Sequence, residues 1–276
     1  MTLGIAAMAA VWVIVILSRH AIWAHWWAYK LQRTDDVAER LEYLARLAGL
    51  GEASVPVAAD LIRSNDVEFR SFGVFLLSKA DSPVAAAHLR SAINDEDEDI
   101  RRTALQAYAA GGGPNVMREL VRLMNGDRSD VALTATAQLA VTRRAEAIPI
   151  LIDAVRMHAN VAVRVQAIQS LAMADATEAV DALIDCLDDT TTYVGQTATE
   201  EAAARALNAV ANAGSLPDHI THTDGVMEPA HVVGGEAAKA LRIITGQSFG
   251  YRHDDETARA SAIAAWRQWR ESQAEP

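Results

Sequence analysis

A regular repeat runs through the middle of the chain and constrains its fold more than any other feature. Leu89, Leu120 and Leu151 are evenly spaced, and Leu183 follows one position late. Ile62, Ile93, Met124 and Val155 keep the same step, with Leu187 after them. Three more columns repeat it: Phe69, Ile100, Val131 and Val163; Gly73, Ala104, Ala135 and Ala167; and Leu77, Tyr108, Leu139 and Leu171. Within a unit the apolar residues follow helical spacing, as in Ile100, Ala104, Leu105 and Tyr108, and two such runs flank a polar turn such as "SND" or "NDEDED". Each unit is therefore expected to be a helical hairpin. A hairpin this short cannot bury both apolar faces alone, so stacking of successive units is the physical solution. The column of small residues at 73, 104, 135 and 167 lets neighbouring helices come close. Aromatic residues make up only 5% of the chain, which favours helices over sheets.

Pro56, Pro83 and Pro114 fall at the starts of first helices, where a missing N–H is not needed. The turn residues Asp66, Asp97 and Asn160 are each followed four positions later by an arginine, Arg70, Arg101 and Arg164. On these features the sequence resembles the HEAT-repeat family. The resemblance implies an all-α, right-handed α-solenoid of about five to six hairpins. The third unit departs from the pattern, with Arg128 and Ala132 in the corresponding places, so a polar ladder between repeats is expected to be interrupted there. The family consists largely of scaffolds and binding platforms, so the likeness specifies fold more than function.

The opening stretch is uncharged from Leu3 to Leu17, followed by Arg19, His20 and an aromatic-rich run. It is read as a single transmembrane helix over residues 1–33, with Trp12, Trp23, Trp26, Trp27 and Tyr29 at the membrane interface. The alternative is a buried helix packed on the repeat body. Basic residues Arg19, Lys30 and Arg33 flank only its C-terminal side, which places the repeat domain in the cytoplasm under a single-pass anchor in the cell (inner) membrane. The expected organisation is that helix, HEAT-like repeats over 34–213, an insertion loop over 214–235, and a repeat helix with a capping helix over 236–276.

Net charge is −11, and residues 34–276 hold 22 basic against 36 acidic residues. An acidic body repels phosphate backbones, so nucleic acid is not an expected partner. The lone Cys186 excludes an intramolecular disulfide. The insertion gathers Asp218, His219, His222, Asp224, Glu228 and His231, side chains able to bind a metal. The expected reading is a solvated polar loop without metal or other cofactor; His219, His222 and His231 are the candidates for the alternative. Some HEAT-type enzymes hold iron through adjacent His-Glu pairs, and that dipeptide does not occur here. No Walker loop or G-x-S-x-G is present either.

The resulting expectation is a membrane-anchored, non-catalytic scaffold that binds membrane-associated protein partners and no small-molecule substrate. Arg102 on an exposed helix face and Trp266 and Trp269 near the C-terminus are the candidate partner-binding residues, although the two tryptophans also suit a cap over the last repeat. A permanent accessory subunit of a membrane complex and a metal-dependent or lyase-like enzyme built on the insertion are the alternatives.

Overall fold

The computed structural model describes residues 20–113, 115–142, 144–193 and 231–274, and over them the backbone is helical apart from short turns and one pair of two-residue strands. The chain divides into two compact units, Met1–Leu123 and Met124–Pro276. The division falls in the repeat whose arginine is replaced by Ala132.

In the first unit a helix over residues 20–33 (α1) leads through a short connection to α2 (Val37–Ala48). Two hairpins follow: α3 (Val55–Leu61) with α4 (Val67–Lys79), and α5 (Pro83–Ala92) with α6 (Glu98–Ala110). Helix α7 (Val116–Met124) comes next. Helix α4 packs on α3 and on α6, so second helices stack on one another as the repeat predicts. Gly73 permits the α3–α4 crossing: a Cβ there would lie 2.7 Å from Ile62 Cγ2 and 2.9 Å from the Ala58 carbonyl.

The second unit contains α8 (Ser129–Thr142), the hairpin of α9 (Arg144–Met157) and α10 (Val161–Met173), and the short α11 (Val180–Asp185). Strand β1 (Thr192–Tyr193) pairs antiparallel with β2 (His231–Val232), which leads into α12 (Val233–Thr245). Helix α10 packs on α8, α9 and α12. Helix α12 ends at Gly246, whose φ of 71° is the left-handed conformation that glycine adopts without strain. Helix α13 (Glu256–Ala274) is capped by Asp255, which accepts from the Ala258 N–H at 3.0 Å. It seats Trp266 edge-on against Phe249, with ring centroids 4.7 Å apart, and Arg270 pairs with Asp181 on α11.

The turn residues act as helix caps. Asp66, Asp97 and Asn160 accept from Glu68, Ile100 and Ala162 N–H groups at the starts of α4, α6 and α10. The arginines four positions on fold back over the same turns: Arg70 donates to the carbonyls of Ser64 and Asn65, and Arg101 to those of Asp95 and Glu96. Two of them also reach the turn of the following hairpin, where Arg70 pairs with Asp95 at 3.0 Å and Arg164 with Asp189 at 2.6 Å. Arg70–Asp95 is the buried one, and leaving one member of such a pair alone costs about 3–5 kcal/mol, so this contact fixes the register of its two hairpins.

The membrane helix requires correction. Among the described residues no helix is long and apolar enough to cross a membrane, so the single-pass anchor and the inner-membrane localisation built on it are withdrawn. The physical reason is visible in α1. Ala24, Ala28 and Leu31, spaced four and three apart, are buried on one helix face. Trp27 stacks on Tyr43 of α2 at 5.5 Å and lies under the Arg46 guanidinium. Helix α1 thus packs as a protein helix. Trp23, Trp26 and Tyr29 remain 45%, 43% and 51% exposed, with Lys30 over the Trp26 ring and Arg33 over the Tyr29 ring. Trp12 and the run from Leu3 to Leu17 lie outside the described residues.

Candidate functional site

A concavity of the first unit opens where α4 ends, α5 begins, and α6 turns toward α7. Its volume is about 960 Å³, within the range of roughly 300–1,000 Å³ usual for ligand pockets. Apolar atoms of Leu77, Ala86, Leu89, Ala107 and Val116 form much of the lining. Polar groups converge on it from three elements: Lys79 from the last turn of α4, Arg90 from α5 and Tyr108 from α6, with Asp81 on the connecting turn. Ser82 caps α5 through the Ala85 N–H, and Pro83 follows as the first helical residue, so this edge of the groove is set by local sequence.

The electrostatics of the groove are uneven. Neither Lys79 nor Arg90 forms an ion pair among the described residues; Lys79 lies over the Phe75 ring at 5.2 Å. Glu119 is engaged by Arg122 at 2.8 Å, and that bond holds its carboxyl below the ordinary range, with Arg90 adding to the effect. Tyr108 is 9% exposed, yet its hydroxyl has no hydrogen-bond partner among the described residues. Burial pushes its pKa up, so the phenol stays protonated and able to donate.

A smaller cleft beside Arg70 is lined by Ser64, Asn65, Asp95 and Glu96. There the guanidinium is already satisfied by Asp95 and by Glu96 at 3.1 Å, so the cleft offers a ligand no free charge.

The second unit holds a separate polar cluster. Glu236, in the first turn of α12 and buried, binds Lys239 Nζ at 2.7 Å and His231 Nδ1 at 3.0 Å, with Gln169 of α10 at 3.4 Å. Burial alone would raise its pKa, but the hydrogen bonds from His231 and Lys239 outweigh burial and hold the carboxyl below its ordinary value. An ionised carboxylate only accepts, so His231 donates through Nδ1. Its ring stacks on Tyr193 across the strand pair. The cluster ties β2, α10 and α12 together.

Of the residues singled out from sequence, His231 sits in that cluster, while His219 and His222 lie outside the described residues. No group of three or more His, Cys, Asp or Glu able to hold a metal occurs among the described residues. Arg102 is exposed and pairs with Asp99 one turn earlier on α6. Trp266 is 1% exposed, enclosed by Phe249 and Trp269, so its surface is spent on closing the last repeat. The groove residues Lys79 and Arg90 were not picked out, and Tyr108 was read only as core. Its signal was in the sequence: a tyrosine stands in a column otherwise occupied by Leu77, Leu139 and Leu171.

No curated protein matches the sequence. Among solved structures the chain is similar to human deoxyhypusine hydroxylase in complex with glycerol, at 17% identity and a TM-score of 0.41, over 92% of this chain and 98% of that one. That counterpart is an enzyme, so the expectations of a non-catalytic, membrane-anchored scaffold and of a chain that is not an enzyme are withdrawn. A likeness this distant assigns no activity to the present chain. The family model for HEAT repeats matches residues 117–207, which supports reading the chain as a HEAT-repeat protein.

Proposed function

We propose that this helical-repeat chain binds a partly apolar carboxylate in the groove between α4, α5 and α6. The observation that carries the reading is that Lys79 and Arg90, neither in an ion pair among the described residues, stand beside an apolar lining in a chain of net charge −11. An apolar group would displace water from the exposed Pro83, Ala87 and Ala110, while the carboxylate meets two cations that form no ion pair among the described residues. Tyr108 supplies a neutral donor from below.

The test is calorimetric titration of the full chain with 4-phenylbutyrate and with its uncharged amide, 4-phenylbutyramide. The acid should bind at least about tenfold more tightly than the amide, since a charged hydrogen bond contributes roughly 1.5–3 kcal/mol. The preference should vanish in a Lys79→Ala, Arg90→Ala double variant. Equal binding of acid and amide, or a preference that survives the double substitution, overturns the reading.

A further inference from the structure

We infer that the ligand of this groove is an acidic peptide segment held in extended form along the turns that precede α5 and α7. The inference rests on the carboxylate-binding reading above and adds the class of molecule that bears the carboxylate.

A small acid uses a point of charge and an apolar pocket. An extended peptide also uses main-chain donors set along a rim. The groove has such a rim. The N–H groups of Asp81 and Gly113, on its two bordering turns, make no hydrogen bond among the described residues. Both residues line the groove. The second turn is a run of glycines, and the φ of 63° at Gly112 is a conformation that other residues rarely adopt. Hypothetical Cβ atoms at Gly112 and Gly113 meet nothing closer than 3.9 Å among the described residues, so this backbone carries no side chain of its own to hold off an approaching one.

Charge selects the sequence of the segment. A chain of net charge −11 repels acidic peptides over most of its surface, and Lys79 and Arg90 place two unpaired cations beside the rim. Acidic side chains alternating with apolar ones would direct the first toward these cations and the second toward the exposed Pro83, Ala87 and Ala110. The hydroxyl of the buried Tyr108, without a partner among the described residues, would donate to a peptide oxygen.

The experiment is fluorescence anisotropy with the full chain and a labelled hexapeptide of alternating leucine and glutamate, amidated at its C-terminus. Comparators carry glutamine or lysine in place of glutamate. The glutamate peptide should bind, the glutamine peptide about tenfold more weakly, and the lysine peptide not at all. Arg90→Glu should abolish binding of the glutamate peptide and admit the lysine peptide, a reversal that a merely unfolded variant cannot produce. Tyr108→Phe, which keeps the buried ring, should weaken binding several-fold. If 4-phenylbutyrate binds and no acidic peptide does, the inference falls and the carboxylate reading stands. If neither binds, both fall. Peptide binding that Arg90→Glu leaves unchanged lies elsewhere and also overturns the inference.

Discussion

Replacing Gly73 by alanine sets two effects against each other, and the structure decides between them. In a helix interior alanine is favoured over glycine by about 1 kcal/mol, so Gly73→Ala would stabilise α4 if nothing were near. The added Cβ would lie 2.7 Å from Ile62 Cγ2, 2.8 Å from Ile62 N and 2.9 Å from the Ala58 carbonyl oxygen. Two of these atoms are backbone, so rotating a side chain does not relieve the clash. Helix α3 must retreat by roughly 0.5 Å, which forfeits about a quarter of the dispersion energy of the affected contacts. Overpacking of this kind costs about 1–3 kcal/mol, leaving a net destabilisation of up to about 2 kcal/mol after the propensity gain. Gly235 is the control: its Cβ would meet only Val232 Cβ at 3.7 Å, so Gly235→Ala should be neutral or stabilising by up to about 1 kcal/mol. Urea unfolding of the full chain followed by far-ultraviolet circular dichroism measures both. Because the chain forms two compact units, the Gly73 effect should appear in the transition of the first and the Gly235 effect in that of the second. A raised midpoint for Gly73→Ala would refute the close α3–α4 crossing.

Other outcomes are equally specific. Glu236 has its pKa held below the ordinary carboxylate value, so its contribution to stability is present above the unfolded pKa and is lost as pH falls through the folded one. Glu236→Gln should flatten the acid limb of the stability profile, and an unchanged acid limb would mean that the cluster is not formed. Trp266→Ala should cost about 3–5 kcal/mol while Trp269→Ala costs much less, read from the same unfolding curves; equal costs would contradict the enclosed position of Trp266. Cys186 is buried, and its thiol is pushed up to about 11, so it should resist an aromatic disulfide reagent at pH 8 until urea is added. Stoichiometric reaction in the folded chain would refute that burial.

The repeat was legible because each column reports a local requirement that every hairpin must meet again. Leu89, Leu120, Leu151 and Leu183 are all buried, and so are Ala104, Ala135 and Ala167 of the small column. The arginines of the turns were legible as a pattern, and the structure adds their targets, since a partner on the following turn depends on how hairpins stack. The first helix misled for a definite reason. The membrane reading came from the uncharged run Leu3–Leu17, outside the described residues, and from the tryptophans after it, whereas the face of α1 that packs is made of Ala24, Ala28 and Leu31, whose spacing is visible but quiet. The groove was not legible at all, because Lys79, Arg90 and Tyr108 come from three helices and meet only when two hairpins are stacked. Glu236 was missed for a similar reason: one of its partners, Gln169, stands far from it in sequence, on α10.

The pairing of Tyr193 with His231 has a consequence for how this chain can vary. Residues 194–230 depart from and return to adjacent points of one small ladder, which Glu236 anchors to α12 and α10. For a segment closed at its base in this way, doubling its length adds only about 0.6 kcal/mol of closure entropy. An insertion between positions 193 and 231 is thus limited less by the cost of closing it, which the ladder has already met, than by what its own sequence adds.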